Sequence, residues 1–154
     1  MIFAYLFIAV AAMLNTAQSG ANGTLHKQMQ HPILPAVVTY ITGGIALLLA
    51  LAVYGWVTRT PMPSGEQWRA FSSAGPWWMW MGGVLGAVYV MAMVNVAEKT
   101  GAALFMGISV SASILTSIAL DHFALLGFKQ HAASVPRLIG AGLMVAGLVL
   151  IGKF

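Results

Sequence analysis

Asn15, Gln18, Ser19 and Asn22 recur at i, i+3, i+4 and i+7, so on a helix they share one face, and His26 carries that face one turn further. Carboxamides and hydroxyls donate and accept hydrogen bonds without bearing charge. In apolar surroundings this chemistry has two uses. It lines a path for a polar solute, or it ties neighbouring helices together. Four polar groups in two turns exceed what one packing contact requires, which favours the solute path. Gly20 and Gly23 lie within the stripe and loosen the helix there.

The elements that hold these residues follow from composition. Of 154 residues, 60% are hydrophobic and 6% charged, too little polar surface to clothe a water-soluble fold, so the solvent for this chain is the lipid bilayer. A helix crosses the hydrocarbon layer in about 20 residues. Five apolar runs of roughly that length occupy approximately residues 2–20, 34–57, 77–97, 102–120 and 135–152. The expected architecture is therefore an all-α membrane protein, a single domain of five transmembrane helices over 1–154. No Lys or Arg precedes the first apolar core, and the chain stays amphipathic to His31, which argues against a cleaved secretory signal. His31-Pro32 and Pro35 separate the first two spans. Ser64-Gly65-Glu66-Gln67 has capping-box spacing and opens a short interfacial helix over 65–73, resting on Trp68 and Phe71. The net charge of +4 comes from basic residues standing singly at span ends, so no patch exists to grip nucleic acid. The absence of Cys removes disulfides, thiol catalysis and Cys-type metal sites.

Other polar and small residues within the spans are candidates of a second kind. Ser109, Ser113 and Thr116 share a face at i, i+4 and i+7, with Ser117 beside it; Ser and Thr in membrane helices often bond their own carbonyls, so a structural role competes with a site role. Tyr40 precedes Gly43 and Gly44 by one turn, where missing side chains leave room for a ligand or for a neighbouring helix. Trp77, Trp78 and Trp80 suit the headgroup level, with Trp80 the member expected to face inward and Tyr89 further along the same span. Gly82 and Gly86 form a small-xxx-small pair, and Gly142, Ala146 and Gly147, following Gly140, repeat that device in the last span. Such stripes permit close helix contact, within the chain or in a dimer.

No Asp, Glu, Lys or Arg lies mid-span. His26, His31, Asp121 and His122 are the only groups suited to catalysis, and alternating spans place the first two on the side opposite the last two. Neither an enzyme active site nor a metal site nor a cofactor is expected. Charge bears on insertion as well. The side holding the N-terminus carries Arg59, Arg69, Lys129 and Arg137, and the other Lys27, Lys99 and Lys153, so four stand against three. Because the cytoplasmic side normally holds the excess, this balance is compatible with a fixed orientation or with insertion both ways.

The strings Gln18 to Asn22 followed by Leu25, Trp77-Trp78, Gly82-Gly83-Val84-Leu85-Gly86-Ala87-Val88-Tyr89, Gly101-Ala102-Ala103, Leu120-Asp121-His122-Phe123 and Arg137-Leu138-Ile139-Gly140 together resemble the small five-helix YdcZ-like family of the drug/metabolite transporter superfamily. The likeness runs through nearly the whole chain. It implies multi-pass proteins of the bacterial inner membrane that occur as dual-topology singles, oppositely oriented pairs or fused ten-helix forms. It thus implies an antiparallel homodimer, with inverted symmetry as the basis of alternating access. Where the family usually carries Gly-Gln in the fourth span, this chain has Ala112-Ser113, so one carboxamide is missing.

The expected function is transport of a small polar or amphipathic solute, with Asn15, Gln18, Asn22, Tyr40, Trp80, Tyr89, Ser109 and Ser113 as substrate-binding candidates. The expected partners are lipid, a second antiparallel copy and a small-molecule substrate. The competing expectation is a non-transporting partner of a larger membrane complex, whose mark is a solid interior.

Overall fold

A computed structural model describes residues 1–154, and the chain is helical almost throughout, with no strand. Its elements are α1 (Ile2–Met29), α2 (Leu34–Thr58), α3 (Gly65–Ala74), α4 (Gly82–Thr100), α5 (Ala102–Phe123) and α6 (Val135–Lys153), with a 3₁₀ turn over Trp77–Met81 ahead of α4 and another over Leu125–Gly127. Together with its 3₁₀ turn, α4 makes a 24-residue apolar segment, and α1, α2, α5 and α6 are likewise long and apolar enough to span a membrane. Five crossings place Met1 and Phe154 at opposite ends of the bundle. The Met1 end also holds α3, and the Phe154 end holds the α1–α2 and α4–α5 connections.

Local chemistry sets the breaks. Gln30 takes a left-handed conformation, φ 49°, after α1, and its N–H returns to His26 O. His31 Nδ1 then accepts from the backbone N–H groups of both Ile33 and Leu34, each at 3.1 Å, so this imidazole caps the start of α2. It is a structural histidine. At α3, Ser64 Oγ accepts from Gln67 N–H and Gln67 Oε1 accepts from Ser64 N–H, a complete capping box. Between α4 and α5 stands one residue, Gly101, at φ 84°, a backbone conformation in which a Cβ is strained.

The helix α4 is the hub. It packs against α1, α2 and α5, while α6 lies at the edge against α5. The core is small: Val90, Met93, Val94 and Ala97 of α4 meet Ala36 of α2 and Phe105 of α5. Only 12 of 154 residues are buried, and Met93, Val94 and Pro35 are fully enclosed. A chain of this size in water buries far more of its surface, so the apolar outer faces of these helices require lipid or further protein against them.

Candidate functional site

With about 100° of turn per residue, Asn15, Ser19, Asn22 and His26 fall within a narrow sector of α1, and Gln18 lies about 60° to one side. The structure follows that geometry. Ser19 and Asn22 are buried, Asn15 and His26 half-buried, and Gln18 is exposed. The inward residues face the contact with α2 and α4. Thr39 Oγ1 of α2 donates to Asn22 Oδ1 at 2.7 Å and also lies 2.8 Å from Pro35 O, so one hydroxyl proton is divided between two acceptors. The other side of the same carboxamide is different: Asn22 Nδ2 is buried without a partner, and so is His26 Nδ1 one turn away.

Two hollows lie along this contact at the Phe154 end. One, of about 250 Å³, is bounded by Ser19, Gly20 and Gly23 of α1 and by Ala97, Gly101 and Ala102 opposite. The other, of about 350 Å³, is bounded by His26, Gln30, Pro32, Asn95 and Lys99. Lys27 and Glu98 line both. They join α1 to α4 through an ion pair of 3.1 Å, with side-chain exposures of 66% and 38%, so water reaches the pair. Gly20 and Gly23 leave the first hollow open: a Cβ at either would meet nothing within 4 Å. α1 nonetheless runs unbroken through both glycines.

The remaining candidates are dispersed. Tyr40 of α2 is partly exposed and its hydroxyl lies over Gly86, where a Cβ would come within 2.5 Å of the phenolic oxygen; Gly86 therefore serves the α2–α4 contact within the chain. Trp80 does not face the interior. It is half-exposed at the Met1 end, edge-on to Phe71 of α3 at 5.8 Å, while Trp78 is the more covered ring and lies against Gly127. Tyr89 is tilted against Phe105 at 6.1 Å. Ser109 is half-buried, Ser113 exposed, and the buried serine of α5 is Ser111. On α6, Gly142 and Gly147 have open space where a side chain would stand and Ala146 is exposed, so that small-residue face is uncovered; Gly82 is also open.

Asn95 escapes a reading based on polar stripes, because it stands alone in an apolar run. Its Nδ2 donates to Pro32 O at 2.9 Å and to Met91 O at 2.7 Å, satisfying a carbonyl freed at the α1–α2 break. Only the Asn-Pro pairing across 63 positions reveals its use, and local spacing carries no trace of it.

At the Met1 end a second ion pair, Arg137 Nη2 to Asp121 Oδ2 at 2.8 Å, has a different setting. Arg137 Nη1 donates to His131 O at 3.3 Å, His131 N–H donates to Asp121 O at 2.9 Å, and His122 Nδ1 accepts from Ala133 N–H at 3.2 Å. The loop from α5 to α6 is clasped by this network. His122 and Asp121 are thus placed far from His26 and His31, and no three His, Asp or Glu side chains converge.

Two further hollows lack convergent polar groups within a span. The larger of these two, about 670 Å³, lies between α3 and the loop before it, with Pro61, Pro63, Trp68 and Phe71 in its wall. Another, about 390 Å³, is an apolar groove between α2 and α4 beside Tyr40 and Met91.

A comparison with protein families finds one whose description reads "Putative inner membrane exporter, YdcZ", matched over residues 3–150. No curated protein and no solved structure matches the chain.

Proposed function

From the premise that this chain belongs to the YdcZ family of inner-membrane exporters, we propose that it carries a small polar or amphipathic solute across that membrane as an antiparallel homodimer. Membership supports the coarser statement, a multi-pass inner-membrane protein of a transport family. The finer reading rests on one observation above all. Two hollows lie in the α1–α4 contact, walled by Ser19 and by His26 of the polar stripe, and Asn22, 4% exposed and one turn from each, holds a hydrogen-bond donor unused. An unsatisfied buried donor costs about 1–3 kcal/mol, so a fold that retains one has a use for it.

The solute path runs along α1. Asn15, Ser19 and Asn22 supply neutral hydrogen-bonding groups in the part of α1 that precedes Lys27 and carries no charge, which suits passage of a solute that must leave again. Gln18, Ser113 and the uncovered face of α6 are exposed on one protomer. A second copy in inverted orientation covers them and completes the lining. The near balance of basic residues, four at one end and three at the other, permits both insertions. Inverted copies then exchange roles to open to either side. A non-transporting partner protein calls for a solid interior, and the two hollows favour the carrier instead.

The test has two arms. Reporter fusions at Phe154, one active in the cytoplasm and one outside it, give comparable signals if both orientations insert; a signal from one alone refutes dual topology. Purified protein in vesicles accelerates entry of solutes from a neutral polar panel, and folded, dimeric protein that moves none of them refutes transport.

A further inference from the structure

The second, outer hollow, of about 350 Å³, falls within the size range of ligand clefts, and no Leu, Ile, Val, Met, Phe or Trp lines it, although 60% of the chain is hydrophobic. Lys27, Glu98 and Lys99 all stand on its wall. Position explains this polarity. α1 has 28 residues and so runs about 42 Å, against roughly 30 Å of hydrocarbon, and its last turn is tied by Lys27–Glu98 to the last turn of α4, at the depth of the lipid headgroups. The free valences on the wall are of both kinds. Both hydrogens of the Asn95 amide go to carbonyls, Pro32 O at 2.9 Å and Met91 O at 2.7 Å, which fixes the orientation of that amide and leaves Oδ1 as its free end. This oxygen is not among the sealed atoms. Glu98 meets Lys27 through Oε1, and its carboxylate keeps lone pairs for a second donor. Lys27 keeps two of its three N–H donors, and Lys99 forms no ion pair.

We propose that the outer hollow binds a zwitterion in which a primary ammonium is carried beside a phosphodiester, the chemistry of a phosphoethanolamine headgroup, as a free compound or on a membrane lipid. The ammonium donates to Asn95 Oδ1 and to the Glu98 carboxylate, while Lys99 and Lys27 donate to the phosphate oxygens. The Lys27–Glu98 pair stays closed and bridges the two halves of the site. Charge decides against simpler ligands. A lone organic cation leaves Lys99 unanswered and meets its repulsion, and a lone anion meets the Glu98 carboxylate in the same way. A zwitterion answers both signs at no net charge. A quaternary ammonium fails for another reason, since it has no N–H to give to either acceptor. The anion is a phosphodiester because the hollow opens at the depth where lipid phosphates lie. This site goes beyond the transport reading and does not depend on it.

The absence of native cysteine allows a direct test. Gln30→Cys places a unique thiol at an exposed position on the wall of this hollow. In nanodiscs, which open both faces to reagent, its labelling by a neutral, water-soluble maleimide is timed. In phosphatidylcholine discs, glycerophosphoethanolamine at about 10 mM slows labelling about tenfold, the occupancy of a site with a dissociation constant of about 1 mM. Glycerophosphocholine, ethanolamine and glycerol 3-phosphate at the same concentration leave the rate within about twofold. Glu98→Gln and Lys99→Gln each cut the protection to below about twofold, and Lys153→Gln, at the same end but off this wall, keeps it. If one of the first two fails to fold, the other decides. A second arm separates the sources. Discs rich in phosphatidylethanolamine slow labelling without added solute, and lose that effect in Glu98→Gln, when the lipid supplies the headgroup; they match phosphatidylcholine discs when the ligand is the free compound. Protection by glycerophosphocholine or by either singly charged compound equal to that by glycerophosphoethanolamine overturns the proposal. So does protection that survives both Glu98→Gln and Lys99→Gln, or labelling that neither glycerophosphoethanolamine nor phosphatidylethanolamine slows. Flux is not measured in either arm, so loss of the site and loss of the carrier reading are told apart.

Discussion

Two ion pairs stand at opposite ends of this bundle, and they do different work with the same charges. Arg137–Asp121 is 2.8 Å long, its carboxylate only 20% exposed, and it is backed by hydrogen bonds that fold the α5–α6 loop over it. Lys27–Glu98 is 3.1 Å long, more exposed, and flanked by a hollow on each side. A charge pair enclosed by fixed partners holds two helices in one arrangement, whereas a hydrated pair contributes little energy and separates easily. The α5–α6 end is held by the enclosed, multiply bonded pair, and the α1–α4 seam by the hydrated, weaker one.

Substitutions sharpen that contrast in order of size. Arg137→Ala leaves Asp121 with one partner fewer and loosens the loop; even after allowance for solvent screening, the loss is about 2 kcal/mol, read as a drop of several degrees in the thermal unfolding of detergent-solubilised protein. Next comes Gly107→Val on the α5–α6 contact, where a Cβ would approach Leu148 Cδ1 at 2.5 Å. This overpacking costs about 1–3 kcal/mol, and Leu148→Ala in the same chain recovers part of it. Gly20→Ala at the other seam behaves in the opposite sense. It fills open space in the first hollow, stability stays level or rises by up to about 1 kcal/mol, and vesicle flux falls. Smallest in stability are Lys27→Met and Glu98→Gln, each below about 1 kcal/mol, with altered flux as their main effect. A Glu98→Gln loss as large as that of Arg137→Ala would abolish the distinction between the two ends.

Much of the fold was legible because a bilayer imposes one length on every crossing helix. The five apolar runs mark the five spans. Their ends are less visible. α1 continues to Met29, well beyond the apolar run that stops near residue 20, because its polar stripe packs on α2 and α4 and needs no lipid. Before α4, the tryptophan cluster that follows Pro76 winds as a 3₁₀ turn, which hydrophobicity alone does not separate from a helix. α5 ends at Ala124 in a left-handed conformation, and Leu126 follows in another, with Gly127 the sole local signal. At the site, the period of α1 marked Ser19 and Asn22 as one face. It could not show that Asn95 answers Pro32, or that Trp78 rather than Trp80 is the covered ring, since each depends on which helix stands opposite.

The single residue joining α4 to α5 has a mechanical corollary. Gly101 and its neighbour Ala102 also form part of the wall of the inner hollow. With no slack in the connection, the two helices cannot slide apart lengthwise; they can only swing about this knuckle. Every degree of swing there changes the shape of the chamber beside Ser19, so the joint acts as a lever whose short arm is the chamber wall. A bulkier residue at 101, held at a φ that side chains resist, would stiffen the lever and freeze the chamber at one volume.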